Sequence, residues 1–272
     1  MKRALGLILM LLVICLVLLG GGQEENFLKS TGLDNEKATM KSSIENGLNI
    51  YYYCYYDETD GHKYITAPEF KLYTEYLDVN KTVIMIIDPW SDMQFPEVNE
   101  SIEQHVDSYL LPLVELAVDK GISVYIFTNN PETIDYNTKK TIDYNTKINA
   151  KLSQLVDGEN VVELYYDSVG GTEGFGELLK NDGVENIIFT GYATQMCMLY
   201  RNVGVIPMWY NTDFDLFVIP EATMPVLADN KELDMAMRNN ICTMLSQQRI
   251  ADIIQYEDFI EYLESISNNY DE

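Results

Sequence analysis

Two residues of this chain stand where a nucleophile and its base would be needed. Cys197 closes the stretch Ile187-Ile-Phe-Thr-Gly-Tyr-Ala-Thr-Gln-Met-Cys197, which reads as an apolar strand, a glycine turn and a cysteine entering an amphipathic segment. Asp88 ends a similar apolar run, Thr82-Val-Ile-Met-Ile-Ile-Asp88. In an open α/β sheet the carboxyl ends of the strands converge on one crevice, and ligands bind there. A thiol and a carboxylate brought to that crevice by two separate strands suggest a cysteine nucleophile and the base that takes its proton. A cysteine at a helix N-terminus also has its thiolate stabilised by the dipole and by free N–H groups. The bland readings are a small buried core residue for Cys197 and a turn or cap residue after a strand for Asp88.

The elements that would position this pair alternate from about Lys81 onward. Apolar runs at Thr82–Ile87, 122–127, Val161–Tyr165, 186–190, 215–219 and 252–254 read as six strands. Between them lie helical patterns. The first opens on a capping box, Ser101-Ile-Glu-Gln104, and carries Ile102, Val106, Tyr109, Leu110, Leu113, Val114 and Ala117 at helical spacing, with a kink expected at Pro112. Further helices are expected at about 144–155, 173–181, from Cys197 or just before, and at about 230–247. Strands alternating with helices of this length argue for βαβ units and a parallel sheet covered on both faces.

The remaining segments are read more coarsely. Lys2 and Arg3 precede an unbroken apolar run over residues 4–19, followed by Gly20-Gly21-Gly22. That is the layout of a signal peptide or an N-terminal membrane anchor, so export to the outer face is expected, with or without cleavage. Residues 1–22 are assigned to this leader, 23–49 to a polar tether, 50–80 to a Tyr-rich extended arm and 81–266 to the α/β domain. The arm, with Tyr-Tyr-Tyr-Cys-Tyr-Tyr at 51–56, reads as a hairpin packing on the domain, or less naturally as a carbohydrate-stacking surface. A tandem octamer, Thr133-Ile-Asp-Tyr-Asn-Thr-Lys-Lys140 followed by Thr141-Ile-Asp-Tyr-Asn-Thr-Lys147, is too short to be a solenoid unit. It reads as a local insertion on the strand-end side. A net charge of −25 repels phosphate backbones and anionic lipid, so no nucleic-acid partner is expected and membrane contact only through the leader. Of the four cysteines, Cys15 lies in the leader, which leaves an odd number. A Cys54–Cys242 disulfide would fit an exported chain and leave Cys197 as the spare thiol.

Several segments together resemble the isochorismatase-like cysteine hydrolases, the superfamily that includes nicotinamidases and N-carbamoyl amide hydrolases. Val83-Ile-Met-Ile-Ile-Asp88-Pro-Trp-Ser-Asp92-Met is similar to the family's apolar strand ending in Asp, with a second Asp a few residues on. The stretch from Ile187 to Cys197 is similar to its strand, glycine and threonine-x-x-cysteine. Asp215-Leu-Phe-Val-Ile-Pro-Glu221-Ala222-Thr223 is similar to the strand that closes the motif region, where the family often has Asp-Ala. The resemblance covers about residues 80–260. It implies a three-layer αβα sandwich on a six-stranded, mainly parallel sheet, and an enzyme that hydrolyses a small amide or carbamoyl substrate without a cofactor. Asp88 would deprotonate Cys197, the thiolate would form a thioester, and the N–H groups of Ala193 and Cys197 would hold the oxyanion. The family's cis peptide bond maps to Tyr192–Ala193, and such a bond costs about 3–4 kcal/mol. Trp90 and Tyr192 flank the implied site and are candidates to line its pocket. The resemblance also allows a homo-oligomer assembled through helices of this domain.

The resemblance breaks at the family lysine. Leu164 occupies its place, with Tyr165 beside it, and no lysine lies between Lys151 and Lys180. A lysine near the pair stabilises negative charge on both, a contribution worth about 3–4 kcal/mol in such sites. Three readings are open. Lys147 or Lys151 reaches in from the preceding loop; Arg201, one helical turn past Cys197, substitutes for it; or the chain is an inactive relative that binds small molecules or serves as a surface structural domain. The nicotinamidase branch holds a metal with an Asp and two histidines. Here only His62, in the arm, and His105, expected among solvent-facing helix residues, are present, so no metal site is expected and nicotinamide is disfavoured.

Overall fold

The computed structural model describes residues 47–59, 62–91, 96–132, 147–225 and 231–266. The leader, almost all of the tether, Asp92 and the octamer repeat up to residue 146 lie outside the described residues.

Eight strands form one sheet: β1 (Leu48–Thr59), β2 (His62–Glu75), β3 (Thr82–Ile87), β4 (Ser123–Thr128), β5 (Val161–Tyr165), β6 (Asn186–Tyr192), β7 (Asp215–Met224) and β8 (Asp252–Ile253), in the order β2-β1-β8-β7-β6-β3-β4-β5. The six strands from β3 to β8 are mutually parallel, as the alternation of strand and helix required. The Tyr-rich arm adds two more. It is a hairpin whose β1 pairs antiparallel with β8 through Tyr51 and Ile253, so the arm extends the sheet instead of lying over it. A two-residue β8 offers too little ladder to end a sheet alone, and the hairpin closes that edge.

Among the described residues eight α-helices accompany the strands: α1 (Pro96–His105), α2 (Leu111–Asp119), α3 (Ala150–Ser153), α4 (Gly171–Asn181), α5 (Cys197–Tyr200), α6 (Val205–Asn211), α7 (Lys231–Gln247) and α8 (Tyr256–Ser265). The capping box at Ser101 does not start the first helix. The helix already includes Pro96. The expected irregularity near Pro112 takes the form of a π-helical turn, Val106–Leu110, between α1 and α2, with Leu111 N–H bonded to Val106 O. Pro112 has no N–H to return to the preceding turn, and the widened turn absorbs that loss. The helix expected to open at Cys197 is a single turn, followed by the separate α6. The C-terminal α8 was not anticipated; Phe259, Tyr262 and Leu263 bury its apolar stripe.

The core lies on both faces of β3 and β6, all of whose residues are buried. These two central strands run in register, with Ile87 opposite Gly191. Gly191 has φ +105, and a Cβ there would stand 2.3 Å from the Ile87 carbonyl oxygen. The strand ends therefore approach more closely than any residue but glycine permits. Gly191→Ala should lower unfolding stability by about 2–4 kcal/mol in urea titration; an unchanged midpoint would show that the close approach is not structural.

Candidate active site

The Ile87–Gly191 pairing delivers the two sequence candidates to one place. Asp88 follows Ile87 with φ +49, its N–H bonded to Phe127 O at 2.8 Å, and its side chain is 0% exposed. On the neighbouring strand the chain turns through Ala193, φ +50, and Met196 and Met198 N–H both bond back to Ala193 O, which curls the backbone into α5 and presents Cys197. Positive φ at two non-glycine residues on adjacent strand ends concentrates backbone strain at this crevice.

Arg201 completes the group. Its Nε donates to Asp88 Oδ2 at 3.0 Å and its terminal Nη2 lies 2.9 Å from the same oxygen. The guanidinium lies over the Tyr166 ring, 4.6 Å from the centroid, and is 30% exposed. Tyr166 stacks in turn on Phe127 at 5.7 Å. Asp88 Oδ1 has no partner within full hydrogen-bond geometry; the Cys197 thiol and the Tyr166 hydroxyl face the carboxylate more loosely. Burial raises the Asp88 pKa, opposed by Arg201, the Cys197 thiol and Tyr166. Burial also pushes the Cys197 thiol up to about 12, with the Asp88 charge adding to the rise and Arg201 opposing it. This direction opposes the helix-dipole stabilisation expected from the sequence. A single helical turn supplies little dipole, and burial beside a carboxylate outweighs it.

The other expectations divide. The Tyr192–Ala193 peptide is trans, since the described residues contain no cis bond, and the oxyanion hole in the form built on that bond is removed. The left-handed turn at Ala193 redirects the chain instead. Trp90 and Tyr192 do not open to solvent beside the site. Both are buried, 6.2 Å apart between ring centroids, and Tyr192 OH donates to Ile102 O at 3.4 Å, because β6 at this point faces the α1 layer. His105 is not solvated. It packs against Tyr109 and Tyr192, its Nε2 lies 3.0 Å from Glu221 O, and burial lowers its pKa to about 4. Its place three residues after buried Ile102 was the sequence signal for that face. Leu164 sits half-buried in β5 opposite Phe127. Lys151 does not enter the site; it pairs with Glu103 and Asp107 at the surface, and Lys147 is exposed. Cys242 is a free buried thiol, so the Cys54–Cys242 disulfide is not formed. His62 falls in β2, apart from His105. Among the described residues no group of three His, Cys, Asp or Glu is arranged to hold a metal ion, and no helix is long and apolar enough to cross a membrane.

Sequence reasoning missed Tyr166 and Asn202. Tyr166 opens the turn directly after β5, two residues past Leu164, and stands beside Asp88. Asn202 Nδ2 donates to Tyr166 O at 2.8 Å and Thr172 Oγ1 donates to Asn202 O, which ties the segment carrying Tyr166 to the residue after Arg201.

Among solved structures, the chain is similar to a cysteine hydrolase from Pseudomonas syringae pv. phaseolicola 1448A, at 12% identity and a TM-score of 0.50, over 70% of this chain and 95% of that one. An isochorismatase family protein from Desulfovibrio vulgaris subsp. vulgaris str. Hildenborough aligns at 14% identity and a TM-score of 0.49, over 68% and 98%. An N-carbamoylsarcosine amidase from Thermoplasma acidophilum aligns at 11% identity and a TM-score of 0.43, over 65% and 97%. No protein-family model matches the chain, and no curated protein does. The first likeness shows that this chain shares the fold of that cysteine hydrolase.

The buried His105 makes a pH prediction. Its folded pKa of about 4 lies below the usual 6.5, so the unfolded chain binds the extra proton first. Its contribution is fully present above about 6.5 and is lost as the pH falls toward about 4, amounting to about 3 kcal/mol. His105→Gln should flatten that part of the stability profile in denaturant titrations at successive pH values. An unchanged slope would show that His105 is not the titrating group.

Proposed function

We infer that this chain, which carries the isochorismatase-like hydrolase fold, is a cysteine hydrolase of a small amide or carbamoyl compound in which Arg201 does the work of the absent lysine. The observation that carries this reading is the cluster of a buried Asp88, a guanidinium 2.9–3.0 Å from one of its oxygens, and Cys197 facing the same carboxylate. A thiol at about 12 holds almost no thiolate at neutral pH, so the proton must leave as sulfur attacks. The Sγ proton passes to Asp88, whose burial makes it a stronger base than an exposed carboxylate. The Sγ–carbonyl carbon bond forms, the C–N bond breaks and the amine leaves with that proton. Water then hydrolyses the thioester: Asp88 accepts a water proton as the water oxygen bonds to the carbonyl carbon, the C–S bond breaks, Asp88 returns the proton to Sγ and the carboxylic acid leaves. Arg201 keeps positive charge beside Asp88 through both steps. It presents a fixed planar fork where a lysine presents a mobile point charge, so its role is bound to the geometry that Tyr166 and Asp88 impose.

A second reading has its own support. Arg201 already engages Asp88, and the thiol is strongly protonated, which is also what an inactive relative retained as a small-molecule-binding or structural domain would show. Turnover separates the two, and the rate of Cys197 alkylation by iodoacetamide against pH checks that Asp88 and Arg201 act on the thiol. In an assembled site Asp88→Asn removes the charge that raises the thiol pKa and should speed alkylation near pH 8, whereas Arg201→Met should slow it. In a panel of small amides and carbamoyl compounds, Cys197→Ser should abolish turnover, and Arg201→Met should reduce it by about 100-fold or more. Alkylation that ignores both substitutions, with no turnover of any amide, would sink the hydrolase reading in favour of the binding or structural one.

A further inference from the structure

A second feature lies at the other end of the sheet from Cys197. A cavity of about 610 Å³ opens where β7 and β8 begin, between Asp215 and Asp252, with the hairpin on one side and α6 on the other. That volume lies in the range of small-molecule sites. The strands run away from it toward Asp88 and Cys197, so it is separate from the candidate active site.

Its walls combine two kinds of group. Tyr52, Trp209 and Phe214 supply aromatic rings, and Trp209 is 44% exposed. Glu75, Asp215 and Asp252 supply three carboxylates against one cation, Arg249. Arg249 does not neutralise them by a close ion pair. Its guanidinium lies over the Tyr52 ring, 5.3 Å from the centroid. Asp252 accepts a hydrogen bond from Tyr73 OH at 3.1 Å. Burial raises the Asp252 pKa, and the charges of Asp215 and Glu75 add to the rise against Tyr73 and Arg249. The carboxylates are therefore close enough to repel one another. They are also too dispersed to chelate, since no metal-holding group of acids exists among the described residues. A bare divalent ion needs converging oxygens, whereas a bulky, weakly hydrated cation is held by ring faces with carboxylates farther out.

We propose that this cavity binds a small organic cation bearing an alkylated ammonium group, held on the ring of Trp209 beside Tyr52 and Phe214, with Asp215, Asp252 and Glu75 supplying the balancing charge. Two rings of this wall already attract cations of the chain itself: Arg249 lies over Tyr52, and Lys180 Nζ lies 5.9 Å from the Phe214 centroid. A ligand cation meets the same quadrupoles on the cavity side.

Calorimetric titration of the full-length chain with tetramethylammonium chloride, against sodium chloride at equal ionic strength, tests the proposal. Saturable binding specific to tetramethylammonium, with a Kd of about 1 mM or tighter, is expected. Trp209→Ala and Asp215→Asn, both at exposed positions, should each weaken it by about tenfold. Cys197→Ser should leave it unchanged, which separates this site from the active-site reading. No heat beyond that of sodium chloride would overturn the proposal, as would binding that survives the Trp209/Asp215 double substitution intact.

Discussion

The constraint on which the site depends is the backbone contact between β3 and β6. A glycine opposite Ile87 lets two parallel strands close to a distance that excludes any Cβ. With the ends held that near, the residues immediately beyond them, Asp88 on one strand and Ala193 on the other, must both turn sharply, and both do so with positive φ. The turn at Asp88 drives a carboxylate into the interior. The turn at Ala193 curls the following segment until Cys197 faces it. The cost of this strained backbone is met by the most thoroughly buried part of the sheet, where every residue of both strands is out of solvent.

A buried carboxylate demands compensation, and the chain supplies it from close by in sequence. Arg201 follows Cys197 by one turn, so the element that brings the thiol also brings the cation. Because α5 is only four residues long, Arg201 stands at its end with extended backbone and turns back over Asp88, while Tyr166 supports its flat face. Losing either partner of such a buried pair leaves an uncompensated charge, which typically costs about 3–5 kcal/mol. The arrangement is thus both a structural tie between β3 and α5 and a device that sets how tightly Cys197 holds its proton. Electrostatics at the site comes from a rigid fork against one oxygen, leaving the second oxygen of Asp88 without an aligned donor.

The aromatic residues divide by role in a way their abundance does not announce. Tyr192 and Trp90, adjacent to the site in sequence, serve as the wall behind it, packed with His105 against α1. Tyr166 stands in the site. Tyr52, Tyr73 and Trp209 gather at the opposite end of the sheet around a separate cavity. The hairpin that carries Tyr52 and Tyr73 exists because a two-residue β8 leaves an edge to be covered, so the covering strands bring their rings to the start of β7 and β8.

Much was legible in the chain itself. Apolar runs of strand length alternating with helical spacing specify the parallel sheet, because strands buried on both faces leave no polar alternation to read otherwise. Asp88 and Cys197 could be singled out because each follows such a run, and strand ends are where ligands meet this kind of sheet. The rest required three dimensions. His105 was placed among solvent-facing residues although it stands three residues after Ile102, on the buried face of the helix. Trp90 and Tyr192 lie near the site in sequence, but proximity along the chain does not say how deeply a ring is buried. Tyr166 and the pairing of Arg201 with Asp88 join residues more than thirty and more than one hundred positions apart. No local pattern encodes such contacts. They follow from strand order and from the turns at Ala193 and Asp88, and those depend on how the whole sheet packs.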